Sequence, residues 1–193
     1  MDQRQPTTTR TLCAIALLAF AMVGCSQSIP PKALVPLPDS LGPVQNLADL
    51  DAQCPPPKGW RPDPLKASDR HTHQVWISPS HDTAYGVIHF NLPLPVGVGI
   101  VHWQFLREMK KTTGEAREIS RADDPQLPGL RFVCEGGLYL MRVNLVVRGM
   151  HGWAIYAGTI REHPINEPEL DQALLAQEHT RLGASNSTAT TSP

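Results

Sequence analysis

A chain of 193 residues, 41% hydrophobic and 18% charged, has room for one ordinary domain plus extras and is neither a polyelectrolyte nor a bundle of membrane spans. Its formal charge of −1 leaves no basic footprint for a phosphate backbone, so no nucleic-acid partner is expected. Ten of the 19 prolines lie between Pro30 and Pro64, whereas ten of the 11 aromatics lie between Trp60 and Tyr156, which separates a proline-rich front from an aromatic core.

The first segment reads as an export signal. Arg4 and Arg10 precede Thr11–Gly24, fourteen uncharged residues that end at Cys25. As a helix this stretch spans about 21 Å, too short for a hydrocarbon core of about 30 Å. A basic n-region, a short apolar stretch and a small residue before the cleavage point are the parts of a secretory signal. The tetrad Met22-Val23-Gly24-Cys25 resembles a bacterial lipobox, with Met22 where Leu is usual. The resemblance implies cleavage before Cys25 and acylation of its thiol; the alternative is an ordinary cleaved signal beside an incidental cysteine. Each buried acyl methylene contributes about 0.8 kcal/mol, so several chains would anchor the protein without a spanning helix. Residues 1–24 are thus expected to be a signal peptide. Loss of Asp2, Arg4 and Arg10 with it changes the net charge from −1 to −2. Ser26 after the acylated position suits the outer membrane, facing the periplasm, if the host has one.

Residues 25–56 are expected to be a lipidated terminus and tether, because Pro30, Pro31, Pro36, Pro38, Pro43 and the Pro55–Pro57 run fix φ and remove amide donors. Within it, Val44–Gln53 is expected to form a helical turn or two. Cys54 and Cys134 remain once Cys13 is cleaved away and Cys25 is acylated. In an oxidising compartment they can pair, closing a loop of roughly 80 residues for about 4 kcal/mol, or remain as a tether thiol and a core thiol.

The folded unit is expected over residues 57–182. Gln74–Ser78 reads as a short strand, followed by turn chemistry at Ser78-Pro79-Ser80-His81-Asp82 and a strand over Thr83–Leu92. Ile88, Phe90 and Leu92 share one face of it, and His89 lies opposite with Tyr85, Val87 and Asn91, which reads as an outer surface. Val98, Val101, Phe105 and Met109 carry helical spacing, with Gly114 placed to stop the helix. A weaker strand follows at Glu115–Arg121. After Leu127-Pro128-Gly129 come alternating strands with Leu130, Phe132 and Cys134, then Tyr139 to Val147, then Trp153–Ile160. Asn166 with Glu169 three residues on marks a helix start, with the helix expected to run to Leu182. Residues 183–193 are expected to be a disordered tail.

The order β-β-α-β-β-β-β-α lacks regular βαβ alternation and predicts an α+β domain, an antiparallel sheet with two helices packed against it. One sheet face is expected to be better covered than the other. Pro57-Lys58-Gly59-Trp60, Trp76-Ile77-Ser78-Pro79, the central helix and Leu127-Pro128-Gly129-Leu130 together resemble the PsbP-like superfamily of exported α/β sandwiches. That resemblance implies a non-enzymatic accessory or binding fold and carries no binding residue onto this chain.

Candidate sites are few. His71 and His73 put two imidazoles on one side of a strand and can chelate zinc or copper with His81 or Asp82, or simply form a solvated strand entry. Neither His102 nor His151 has a sequence neighbour that suggests a role. Arg142, Asn144 and Arg148, with Arg131, form a polar row able to recognise an anion, or a solvated strand face. Asp123-Asp124 reads as a surface turn. The sequence has no G-x-S-x-G elbow, phosphate loop or dinucleotide fingerprint, so neither catalytic residue nor cofactor is expected. The reading is a membrane-anchored envelope lipoprotein with a non-catalytic domain for a protein partner or ligand; the alternative is a metal-binding protein or metal-dependent enzyme using His71 and His73.

Overall fold

The computed structural model describes residues 38–64, 72–122, 129–161 and 164–183. The expected signal, Cys25, His71, Asp123-Asp124, Leu127-Pro128 and the tail beyond Gly183 lie outside the described residues.

Two sheets are built among the described residues. The larger contains β3 (Arg61–Pro62), β4 (His73–Ile77), β5 (Thr83–Asn91), β6 (Arg117–Ala122), β7 (Leu130–Gly136), β8 (Tyr139–Arg148) and β9 (His151–Ile160). They pair antiparallel in the spatial order β3-β4-β5-β9-β8-β7-β6. Helix α1 (Val98–Thr113) links β5 to β6, and α2 (Glu167–His179) follows β9. A small sheet joins β1 (Gln45–Leu47), β2 (Ala52–Cys54) and β10 (Arg181–Leu182) in the order β1-β2-β10. The domain is α+β, with an antiparallel sheet carrying two helices.

Strand alternation sends the core to both faces. On β9, Trp153, Ile155 and Ala157 join a cluster with Trp76, Tyr85, Val87 and the α2 residues Ala173 and Ala176. The intervening Ala154 and Tyr156 join a second cluster with Phe132, Cys134, Val143 and Leu145, packed against Val101 and Met109 of α1. Both faces are therefore covered by a core cluster. The face expected to be outer holds Tyr85 and Val87, both fully buried.

The helix ends follow local chemistry. Gly114 stops α1 at φ 85°, donating its N–H to the Lys110 carbonyl, a left-handed cap that glycine adopts without a Cβ penalty. The Asn166 side chain accepts from the Glu169 N–H, with Pro168 in the first turn of α2. The helix stops at His179 rather than Leu182, because Arg181 and Leu182 pair with Gln53 and Ala52 of β2.

Two further expectations are corrected. The fold does not begin at Pro57: Leu41, Leu50, Ala52 and Cys54 are buried in the first cluster, so residues 41–56 belong to the domain rather than to the tether. Val44–Gln53 contributes β1, a 3-10 turn at Ala48–Leu50 and the start of β2 instead of a helix. Of the two alternatives left open for Cys54 and Cys134, the structure has the free thiols, the first in the cluster on the α2 face and the second in the cluster on the α1 face, with the sheet between them.

Candidate functional site

A cluster of rings and polar groups lies where β5, β9 and the 3-10 turn meet. Register places His89 opposite Trp153, and His151 is two residues before Trp153 on the same face. The His89 ring stacks on Trp153 with centroids 5.2 Å apart and on His151 at 5.5 Å. Nε2 of His89 faces Nδ1 of His151 at 3.3 Å, so one ring donates and the other accepts. Trp153 is buried, and its indole N–H donates to the Leu50 carbonyl at 2.7 Å, which fixes the 3-10 turn over the corner. Arg148 closes the group with its guanidinium 5.9 Å from the centre of the Trp153 ring and a hydrogen bond to the Leu182 carbonyl.

Burial lowers the pKa of His89, and His151 lowers it further; the Asp51 carboxylate and the Asp49 backbone act in the opposite direction. A cleft of about 280 Å³ opens beside this corner, lined by Asn46, Leu47, Ala48, Asp49, Leu50 and Gln74. A second, also about 280 Å³, lies at the far end of the β4–β5 hairpin between Gly59, Arg61, Ile77, Pro79 and His81. It brings together the Pro57–Trp60 and Trp76–Pro79 segments, which are distant in sequence.

The polar row on β8 has internal work. Arg142 donates from Nε to Gln177 Oε1 at 2.6 Å and from Nη2 to the Leu174 carbonyl and Glu178, tying β8 to α2. Asn144 accepts from Arg131 at 3.1 Å, in register across β7 and β8. The row is therefore a docking seam for α2 and the chain end rather than an anion site. His102 is also placed: it is buried on α1 against the edge of Phe132, 2.7 Å from Glu118 of β6. Hydrogen bonds from Arg121 hold the Glu118 carboxyl below its usual range.

The metal expectation loses its third ligand. His73 begins β4, whereas His81 and Asp82 sit in the turn beyond its other end. Four residue steps along a strand span about 13 Å, several times a metal–ligand distance. Nδ1 of His73 instead meets the Thr72 hydroxyl at 2.7 Å. Among the described residues no three His, Cys, Asp or Glu side chains are grouped as a metal shell. Both thiols are deeply desolvated, Cys54 being raised to about 11 and Cys134 to about 12, which suppresses the nucleophilic thiolate.

Neither His89 nor His151 was given a role by sequence. The signal that joins them is their shared strand phase with Val87 and Ile155, which becomes visible only once the β5–β9 register is known.

No protein family matches the chain by sequence, and neither does any characterised protein. Solved structures do match its shape. The solution structure of cyanobacterial PsbP (CyanoP) from Synechocystis sp. PCC 6803 superposes with a TM-score of 0.54 at 10% identity, covering 78% of this chain and 98% of that one. LpqN of Mycobacterium tuberculosis, described as involved in cell envelope biogenesis, gives 0.45 at 14% identity over 68% of this chain and 82% of its own. The CyanoP superposition establishes a PsbP-like fold, as the sequence resemblance implied.

Proposed function

We propose that this chain is a bacterial envelope lipoprotein, anchored through lipid on Cys25, whose PsbP-like domain is a non-catalytic accessory module binding a protein partner in the envelope. The observation that carries the reading is the nearness of the lipobox to the fold. Leu41, the first core residue among the described ones, comes only about sixteen residues after Cys25, so the domain is held close to a surface. The desolvated thiols and the internally satisfied Arg142 favour a scaffold over a reactive site. The PsbP-like fold itself leaves function open.

The anchor is tested by intact mass and detergent-phase partitioning of the wild type and Cys25→Ala. Acylation predicts a lipid mass increment and detergent partitioning, both lost in the variant; identical behaviour of the two proteins refutes it. Crosslinking in the native host followed by mass spectrometry identifies the partner. Zinc and copper titrations test the His71 and His73 alternative, which requires stabilisation that disappears in His73→Ala.

A further inference from the structure

We infer that the outward face of α1 is a membrane-docking surface, laying Ile100 and Trp103 into the interfacial layer while Arg107 and Lys110 meet anionic phospholipid headgroups. The inner side of α1 is occupied by Val101 and Met109, buried against the sheet. The outer side is unusual for a soluble helix: Ile100 is 55% exposed and Trp103 60% exposed. Positions 100, 103 and 107 follow the i, i+3, i+7 spacing of one stripe, so these apolar groups and Arg107 share a face. Leu94, also exposed, lies on the segment leading into the helix.

The charge on this face selects the occupant. The Arg107 guanidinium sits 5.3 Å from the centre of the Trp103 ring, the aromatic-plus-cation pairing that suits a headgroup layer. Lys110 and Lys111 occupy the last turn. Glu108 is the one acid within α1, and it is engaged by Lys111 at 2.6 Å and by Gln104 at 2.7 Å. Glu115 follows the helix beyond Gly114. A basic polar side beside exposed Trp and Ile is the composition of a helix that lies in the plane of an anionic bilayer.

The tether makes such contact effective, and here the inference rests on the lipid-anchor reading. About thirteen residues separate Cys25 from Pro38, a reach of roughly 45 Å when fully extended. The chain enters on the α2 side, and layers about 10 Å apart leave enough length for the α1 side to turn toward the surface. An anchor this short also raises the effective concentration of the domain at the bilayer, so docking too weak to hold a free protein is still populated.

The experiment uses the mature protein in vesicles of phosphatidylethanolamine and phosphatidylglycerol whose acyl chains carry bromine, a short-range quencher of indole emission. Trp60, Trp76 and Trp153 are no more than 8% exposed, so Trp103 is the lipid-accessible reporter among the four tryptophans. The expected result is a loss of emission relative to unbrominated vesicles. That loss disappears in Trp103→Phe, and it shrinks in Arg107→Glu/Lys110→Glu, with phosphatidylcholine vesicles and at high salt. Equal emission in brominated and unbrominated vesicles overturns the inference. So does shielding of Trp103 in a dimer that sedimentation detects in the wild type and not in Trp103→Glu. The mass of Cys25 is measured on the same sample. If it carries no lipid, the anchor reading fails by itself, and the docking face is then decided by titrating this protein with the same vesicles to saturating lipid, where emission that stays equal to that in unbrominated vesicles overturns it.

Discussion

Gln177 and Arg142 hold each other across the layer between α2 and β8: Arg142 Nε donates to Gln177 Oε1 at 2.6 Å, and Gln177 Nε2 donates back to the Arg142 carbonyl at 3.1 Å. The same Nε2 reaches the Ile155 carbonyl at 2.7 Å, so one buried amide satisfies two strands. Truncation in Gln177→Ala strands these groups out of water and is expected to cost about 2–3 kcal/mol. Chemical denaturation measures the loss. Arg142→Lys is not expected to restore the seam, because an ammonium cannot reproduce the directed fork of a guanidinium. A change of only a few tenths of a kcal/mol in Gln177→Ala would contradict this role.

The paired histidines predict a pH dependence of definite sign. The folded-state pKa of His89 lies below its ordinary 6.5, chiefly through burial, and that of His102 is lowered in the same way despite the Glu118 carboxylate beside it. Just below 6.5 the unfolded chain binds protons that the folded chain still refuses, so stability rises with pH across this window. Stability is therefore expected to be full above 6.5 and to decline as pH falls through the lowered folded-state values. His89→Gln should flatten its share of the decline. Denaturation midpoints that rise on acidification through this range would reverse the assignment.

Gly129 predicts a close-approach effect. A Cβ there would strike the backbone carbonyl oxygen of Leu145, which lies in the centre of the sheet and cannot yield as a side chain can. Gly129→Ala is expected to cost about 1–3 kcal/mol, in the range of an overpacked core. Gly99→Ala makes the contrast: a Cβ there meets nothing within 4 Å, and the helix should gain roughly 0.4–1 kcal/mol. Thermal melts of the two variants should move in opposite directions.

The thiols supply a chemical test of the two-sided core. Cys54 and Cys134 should resist a thiol reagent in the native protein and react together on unfolding, since burial holds both as protonated thiols. A Cys54–Cys134 peptide in a non-reducing digest of the native protein would show that the sheet does not keep them apart.

Periodicity was enough to place the main strands and both helices, because alternation and the i, i+3, i+4 spacing are local consequences of the backbone. The Gly114 stop and the Asn166 cap were readable for the same reason: each is decided within one helical turn. The segment from Leu41 to Cys54 was not readable. Pro43 within it and the prolines on either side suggest a solvated tether, and nothing local says that Ala52 and Cys54 will be buried. Their burial comes from packing against Tyr85, Trp153 and the α2 residues Ala173 and Ala176, and Arg181 and Leu182, more than a hundred residues later, complete the small sheet by pairing with β2. The Arg142 row failed similarly, since alternation marks a polar face but cannot say that α2 will cover it.

The proline-rich front and aromatic core thus divide differently than composition suggests. The lipobox-like tetrad, the strand phases, the end of α1, the start of α2 and the α+β class follow from residues near one another in the chain. Long-range pairing alone decided that the domain starts near Leu41, that both sheet faces are buried, that the two cysteines are separated, and that His89 meets His151. Register sets which side chains face each other, and register depends on contacts that no short stretch of sequence contains.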